Sequence, residues 1–359
     1  MRTWLRQHRA RLGAAISTGA LTATAGLATA AGTAGASTIG AAVGPPATQA
    51  AVHPVASPAQ AAARGFWTAA RMASATPAGQ GRPAARPGSP NQASPKQASP
   101  NQASPNQASP NQANPNQASP AQASPEGAAS TPAPPPGIPN PTYFNGVPTV
   151  GALFYTTGTQ AHFCTASVVD SATSDLVLTA AHCVYGNGGY ATNVAYVPKR
   201  HQGVSPYGMW AVRSITVAAG WQQSQDPDLD FAFLAVSPPP GTRRPIQSVT
   251  GGLRLGVSSG YAHPVTVIGY NDTDNQPIEC ATDSFEFEPT QLEFYCNNYW
   301  DGTSGGPWIL HLNPVTGSGT VIGDIGGYEQ GGDYPWASYS PYYASPILRL
   351  FLQAQLPRP

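Results

Sequence analysis

Charge is scarce in this sequence: Asp, Glu, Lys and Arg together make up 9% of its 359 residues. The totals balance at 17 of each sign, but the distribution does not. The first 140 residues hold one acidic residue, Glu126, against nine Lys or Arg, and residues 141–359 hold sixteen acidic against eight basic. A folded part at minus eight (8 − 16) has no basic footprint for a phosphate backbone, which excludes nucleic acid as its main partner. Cysteine is absent before Cys164, and only three of the 32 aromatic residues (10 Phe, 7 Trp, 15 Tyr) precede residue 141. The material for a packed core is therefore concentrated in the C-terminal two-thirds. Strongly apolar runs are missing too. The uncharged stretch from Leu12 to Ala63 is mostly Ala, Gly and Thr, too weak for the ~20-residue span a bilayer requires, so no stable membrane span is expected.

Gly and Pro are abundant, 38 and 39 residues, which excludes one uniform globular domain. Arg2, Arg6, Arg9 and Arg11 precede an apolar segment around Ile16, Leu21 and Leu27. Small residues at Ala28 and Ala30, or at Ala34 and Ala36, then offer cleavage sites. This is a secretory signal pattern, assigned to residues 1–36. From Ser89 to Ala128 the chain repeats S-P-N-Q-A through eight pentads, the last ones decayed. Proline every fifth residue forbids helix and central strand, and Ser, Asn, Gln and Ala bury too little apolar area to offset chain entropy. Residues 37–140 are expected to form a disordered Ala/Pro-rich arm, a spacer with a possible role in cell-wall association. Residues 141–359 form the folded domain.

Within that domain, β-rich runs alternate with turn clusters: Val150 to Tyr155, Phe163 to Val169, Leu176 to Ala180, Val194 to Val197, Trp210 to Val217, Phe231 to Val236, Val265 to Tyr270, Leu292 to Cys296, Trp308 to Leu312 and Val321 to Ile325. Short strands separated by Gly and Pro loops indicate an all-β barrel or sandwich. A helix is expected at the C-terminal end, with Ser345 as cap, Pro346 in the first turn and Ile347, Leu350, Phe351 and Leu356 at helical spacing. Four cysteines on an exported chain make two disulfides. Order alone allows three pairings, and loop length favours Cys164 with Cys183 and Cys280 with Cys296.

Two segments carry chemistry, T-A-A-H-C at Thr179 to Cys183 and D-G-T-S-G-G-P at Asp301 to Pro307. A serine hydroxyl is a poor nucleophile at neutral pH and needs a base within hydrogen-bond reach and N–H donors aimed at the developing oxyanion. Gly302, Gly305 and Gly306 around Ser304 permit the tight turn that presents its Oγ, with the N–H groups of Gly302 and Ser304 as oxyanion donors. Asp230, at the start of the apolar run in D-L-D-F-A-F-L, is placed to orient His182. Asp226 and Asp228 compete for that role, but only Asp230 abuts the run that would bury it. The segment Gly302 to Gly306 also fits the G-x-S-x-G elbow of α/β-hydrolases. That fold needs its His after the serine, and the only later one is His311. His162, His201, His263 and His311 show no metal spacing, and the acidic loops Asp226 to Asp230 and Asp272 to Asp274 read as solvated. No metal and no cofactor are expected.

At these residues the chain resembles the trypsin-like, chymotrypsin-fold serine peptidases, over roughly residues 143–356. F-C-T-A-S-V-V, T-A-A-H-C, D-F-A-F-L, G-T-S-G-G-P-W and G-D-I-G-G-Y follow one another in the family's order. The look is closest to the secreted bacterial branch that includes the glutamyl endopeptidases and peptidases of actinobacteria. The resemblance implies two antiparallel six-stranded β-barrels with the site between them, His182 and Asp230 from the first and Ser304 from the second. It also implies a substrate edge at Gly326, Gly327 and Tyr328. The chain departs from the family in three places. Thr303 stands where digestive trypsins carry the Asp that pairs with a new amino terminus. Cys296 lies eight residues before the serine rather than four. The strand ending near Ile325 lacks the pocket His of the glutamyl branch. The expected protein is a secreted, monomeric serine endopeptidase acting on proteins or peptides through a His-Asp-Ser triad. The competing expectation is a catalytically silent peptide-binding module displayed on the arm, and the intact triad weighs against it.

Overall fold

Runs of Val, Leu, Ile and aromatic residues bounded by Gly and Pro turns become strands because branched and planar side chains pack well on a pleated surface. The computed structural model describes residues 47–77, 133–271 and 276–356, all within one compact unit, residues 45–359. The signal segment, the pentad repeat and Asp272 to Asp274 lie outside the described residues. The main strands are β1 (Ala50–Pro54), β2 (Val150–Thr157), β3 (Gln160–Val168), β4 (Leu176–Thr179), β5 (Thr192–Pro198), β6 (Trp210–Ala218), β7 (Ala232–Ser237), β8 (Pro264–Tyr270), β9 (Pro277–Glu288), β10 (Gln291–Tyr295), β11 (Pro307–Leu310), β12 (Thr320–Asp324) and β13 (Ala337–Pro341). The longest helices are α1 (Ser57–Phe66) and α2 (Ser345–Ala354).

Six strands close into a barrel in the order β6-β7-β4-β3-β2-β5, with β5 returning to β6 through Tyr196 opposite Trp210 and Ala195 opposite Ala211. The second sheet runs β12-β11-β8-β9-β10-β13. It differs from the expected second barrel, because among the described residues no ladder joins β12 to β13. Its ends meet instead through single bonds, Gly326 N–H to Tyr339 O (3.0 Å) and Asp324 N–H to Ser340 Oγ (3.0 Å). Alternation along the barrel strands sorts side chains between two cores. Leu153, Tyr155, Val194 and Tyr196 point into the barrel, while Ala152, Phe154, Ala195 and Val197 form part of a separate apolar cluster on its outside. Cys164–Cys183 and Cys280–Cys296 are the two disulfides.

The arm expectation fails for residues 47–77. They form β1, α1, a short helix Ala69–Ala73 and a short strand Thr76–Pro77, packed on the first barrel. Their physical anchor is Trp67, 4% exposed, in the outer cluster with Phe154 and Phe163. The C-terminal helix is present, but Ser345 is its first residue and Ala344 its cap, with no side-chain bond. Ile347 and Leu350 are buried, and Leu356, just past the helix end, is exposed.

Candidate active site

The first barrel brings two distant residues together by strand pairing. β4 and β7 run antiparallel with Thr179 opposite Ala232, so the chain leaving β4 and the chain entering β7 lie side by side. His182 sits in the single 3-10 turn Ala181–Cys183 just past β4, and Asp230 caps the turn Pro227–Leu229 just before β7. The disulfide to Cys164 ties the His182 turn to β3. Asp230 is fully buried and accepts from three donors: His182 main-chain N–H (2.9 Å, at Oδ1), the His182 ring at Nδ1 (2.8 Å, at Oδ2) and Gly327 N–H (3.0 Å, at Oδ2). A ring whose Nδ1–H is held by a carboxylate leaves Nε2 as the acceptor.

Ser304 lies on the loop between β10 and β11, stitched to both sheets. Its carbonyl accepts Thr165 N–H from β3 (2.8 Å), Thr165 Oγ1 donates to Gly302 O (3.0 Å), and Gly305 N–H donates to Ile325 O (2.7 Å). Two glycines are required here. Gly302 has φ +97°, and a Cβ there would meet the Phe163 ring at 2.5 Å; Gly305 has φ +76°, and its Cβ would overlap Thr165 O and Thr179 Oγ1. Among the described residues, the N–H groups of Gly302 and Ser304 donate to no protein acceptor. His182 and Ser304 line one open pocket with about 430 Å³ of empty space, walled by Tyr299, Trp300, Ile325, Gln330 and Tyr334 among others. A second groove continues past His182 between residues 155–158 and 183–192.

The expected substrate edge, Gly326 to Tyr328, runs beside this pocket rather than in its lining. Gly326 and Gly327 spend their N–H groups on Tyr339 O and Asp230, and neither they nor Tyr328 line this pocket; Ile325, Gln330, Gly331 and Gly332 do. Three further residues brace the site, and two of them, Gln291 and Asp324, did not stand out in the sequence. Gln291 on β10 donates to Asp228 Oδ1 (2.7 Å) and accepts Tyr328 N–H (3.0 Å), joining the Asp230 turn to the Gly327 loop. Asp324 is buried, accepts the Tyr343 hydroxyl (2.6 Å) and has its second oxygen without a partner; burial first, and the Asp230 charge after it, push its carboxyl well above the usual range. Thr303, in place of an acidic residue, donates its hydroxyl to Trp300 O (2.8 Å), whose own N–H is held by Asn271 Oδ1 (2.7 Å). Nothing in a strand's polar alternation marks Gln291 or Asp324 in advance. Among the described residues the one grouping of metal-ligating types is Cys164, His182 and Cys183, and its sulfurs are committed to the disulfide, so they offer no thiolate. No helix among the described residues is long and apolar enough to cross a membrane.

The family model described as Trypsin matches residues 140–340, more than half of the chain. No curated protein matches. Among solved structures, the protease Anisep from Arthrobacter nicotinovorans is similar at 24% identity and TM-score 0.53, covering 59% of this chain and 98% of its own. AL20, a thermostable serine protease from an extremophilic microorganism, is similar at 26% identity and TM-score 0.52, covering 58% and 97%.

Proposed function

The chain belongs to the trypsin family and is a serine endopeptidase, and from that premise we propose that it is exported and cuts peptide bonds through His182, Asp230 and Ser304. The observation that carries the reading is the three-donor clasp on buried Asp230, which fixes His182 in the pocket that Ser304 shares. Ser304 Oγ attacks the scissile carbonyl while His182 Nε2 takes its proton. The free N–H groups of Gly302 and Ser304 receive the negative charge on the former carbonyl oxygen. His182 then protonates the leaving amine, and water repeats the cycle on the acyl-enzyme. Asp230 balances the imidazolium and keeps its tautomer, since a carboxylate that accepts the Nδ1 proton makes the other nitrogen the base. Two disulfides suit an oxidising compartment, which supports export. Peptide turnover by the Ser304→Ala variant tests the reading. The expected loss is about 10⁶-fold in kcat, by the scale of whole-triad removal in serine peptidases. Turnover within an order of magnitude of the unmodified chain would assign the hydrolysis to another group.

A further inference from the structure

Residues 47–77 precede the repeat and lie outside the family match, yet they occupy two surfaces of the first barrel that need covering. The first is an edge. β5 pairs with β6 only at Trp210 and Ala211, which leaves the rest of that side of β6 open, from Ser214 to Ala218. β1 takes this edge with five residues in antiparallel register, Ala50 opposite Ala218 through Pro54 opposite Ser214. Bonds at both ends extend the ladder: Val55 N–H to Arg213 O (2.9 Å), Ala219 N–H to Gln49 O (2.8 Å) and Gly220 N–H to Ala47 O (2.8 Å). An uncovered edge is a template for unwanted pairing, and here the chain supplies its own cover.

The second surface is the outer face of β2, β3 and β5, where Ala152, Phe154, Phe163, Ala195 and Val197 are buried. Trp67 packs over them, tilted against Phe154 at 5.3 Å between ring centres, and its Nε1–H donates to Asn193 O at 2.5 Å. Polar bonds tie down α1 between these anchors: Ser237 Oγ donates to Gln60 Oε1 (2.7 Å), and Arg64 donates to Pro238 O (3.2 Å). No residue of this segment lines the pocket of His182 and Ser304.

We propose that residues 47–77 are a noncovalent clip, which stays on the barrel when the chain is cut anywhere between residues 78 and 132, so that the processed enzyme is a two-chain protein. The partner of this surface is thus a segment of the same chain, recognised through a strand edge and one indole. A segment that left after cutting would strip β6 of its cover and expose a contiguous apolar face. Because the clip stands clear of the pocket, its retention leaves the site open.

The test uses the full chain carrying Ser304→Ala, to silence self-cutting, with the recognition sequence of an exogenous site-specific peptidase placed in the pentad repeat. After complete cutting, size exclusion and native mass spectrometry are expected to find both pieces in one species at equal stoichiometry. Trp67→Ala in the same chain is expected to weaken retention by roughly a hundred-fold or more, so that the small piece separates on dilution. Elution of the small piece apart from the barrel with Trp67 intact overturns the proposal, and so does retention indifferent to Trp67→Ala. The readout is mass rather than turnover, so it fails or stands independently of the catalytic assignment.

Discussion

Asp230 is held from three sides, and the consequence of replacing it follows from that geometry. Asn at 230 keeps the size but presents an N–H₂ on one side, so the clasp favours the wrong imidazole tautomer. Asp230→Asn is expected to lower kcat about 10⁴-fold with little change in KM, as steady-state kinetics on a peptide substrate would report. Asp324, buried where the Asp230 charge reaches it, acts on stability instead. Its unfolded carboxyl loses its proton near pH ~4, whereas burial holds the folded one well above that range. Between those values the native state binds more protons than the unfolded state, so stability falls as pH rises. Asp324→Asn removes this dependence. Urea unfolding of both chains at about pH 4 and about pH 7 should show the variant gaining on the unmodified protein as pH increases. A difference that does not move with pH would mean that Asp324 ionises in the fold as it does unfolded. His182, Asp230 and Ser304 are legible in the sequence as candidates because each stands in a short segment that resembles the family's. Asp324 and Gln291 are not, because their roles come from contacts with other elements, Tyr343 19 residues and Asp228 63 residues away, that no local pattern marks.

At the scale of elements, the serine loop and the histidine turn are held by different devices. Gly305 combines positive φ with a neighbouring carbonyl and hydroxyl where a Cβ would sit. Gly305→Ala is expected to destabilise the protein by on the order of 2–4 kcal/mol and to displace the loop, seen as a lowered urea midpoint together with lost turnover. The Cys164–Cys183 bridge closes a loop with sequence separation 19 around the histidine turn. Replacing both cysteines by Ser should cost about 3 kcal/mol of stability by the loop-closure scale, measured in the same unfolding experiment. The ten strands read from apolar runs all coincide with strands, since burial leaves short runs rich in Val, Leu, Ile and aromatic residues. β9 escaped because Glu279, Asp283, Glu286 and Glu288 interrupt it, and β13 because Ser338, Ser340 and Pro341 read as a turn. β1 and α1 escaped because Ala is their commonest residue, six of fifteen, and its small side chains look like linker. The available signal was Phe66–Trp67, two of the three aromatic residues in the first 140.

For the whole molecule, the pocket lined by His182 and Ser304 lies at the seam of a closed barrel and a curled sheet, with the loop that carries Ser304 held by bonds to both. Thr303 and Asn271 hold Trp300 beside the serine loop, and Thr303 stands where digestive trypsins carry the Asp that pairs with a new amino terminus. Residues near 140 are themselves pinned on the surface, with Asn297 N–H bonded to Pro139 O (2.9 Å) and Tyr143 paired with Ile278. A chain cut between residues 78 and 132 and an uncut chain are therefore expected to react with an active-site phosphonate at the same rate. Reaction only after cutting would show that the loop is not set in the intact chain. The most direct test of the central claim is fluorophosphonate labelling of the folded protein, with the adduct located by mass spectrometry and His182→Ala as the control. The proposed triad predicts one adduct, on Ser304, that disappears in the His182→Ala chain. An unlabelled folded protein, or labelling indifferent to His182, would contradict it.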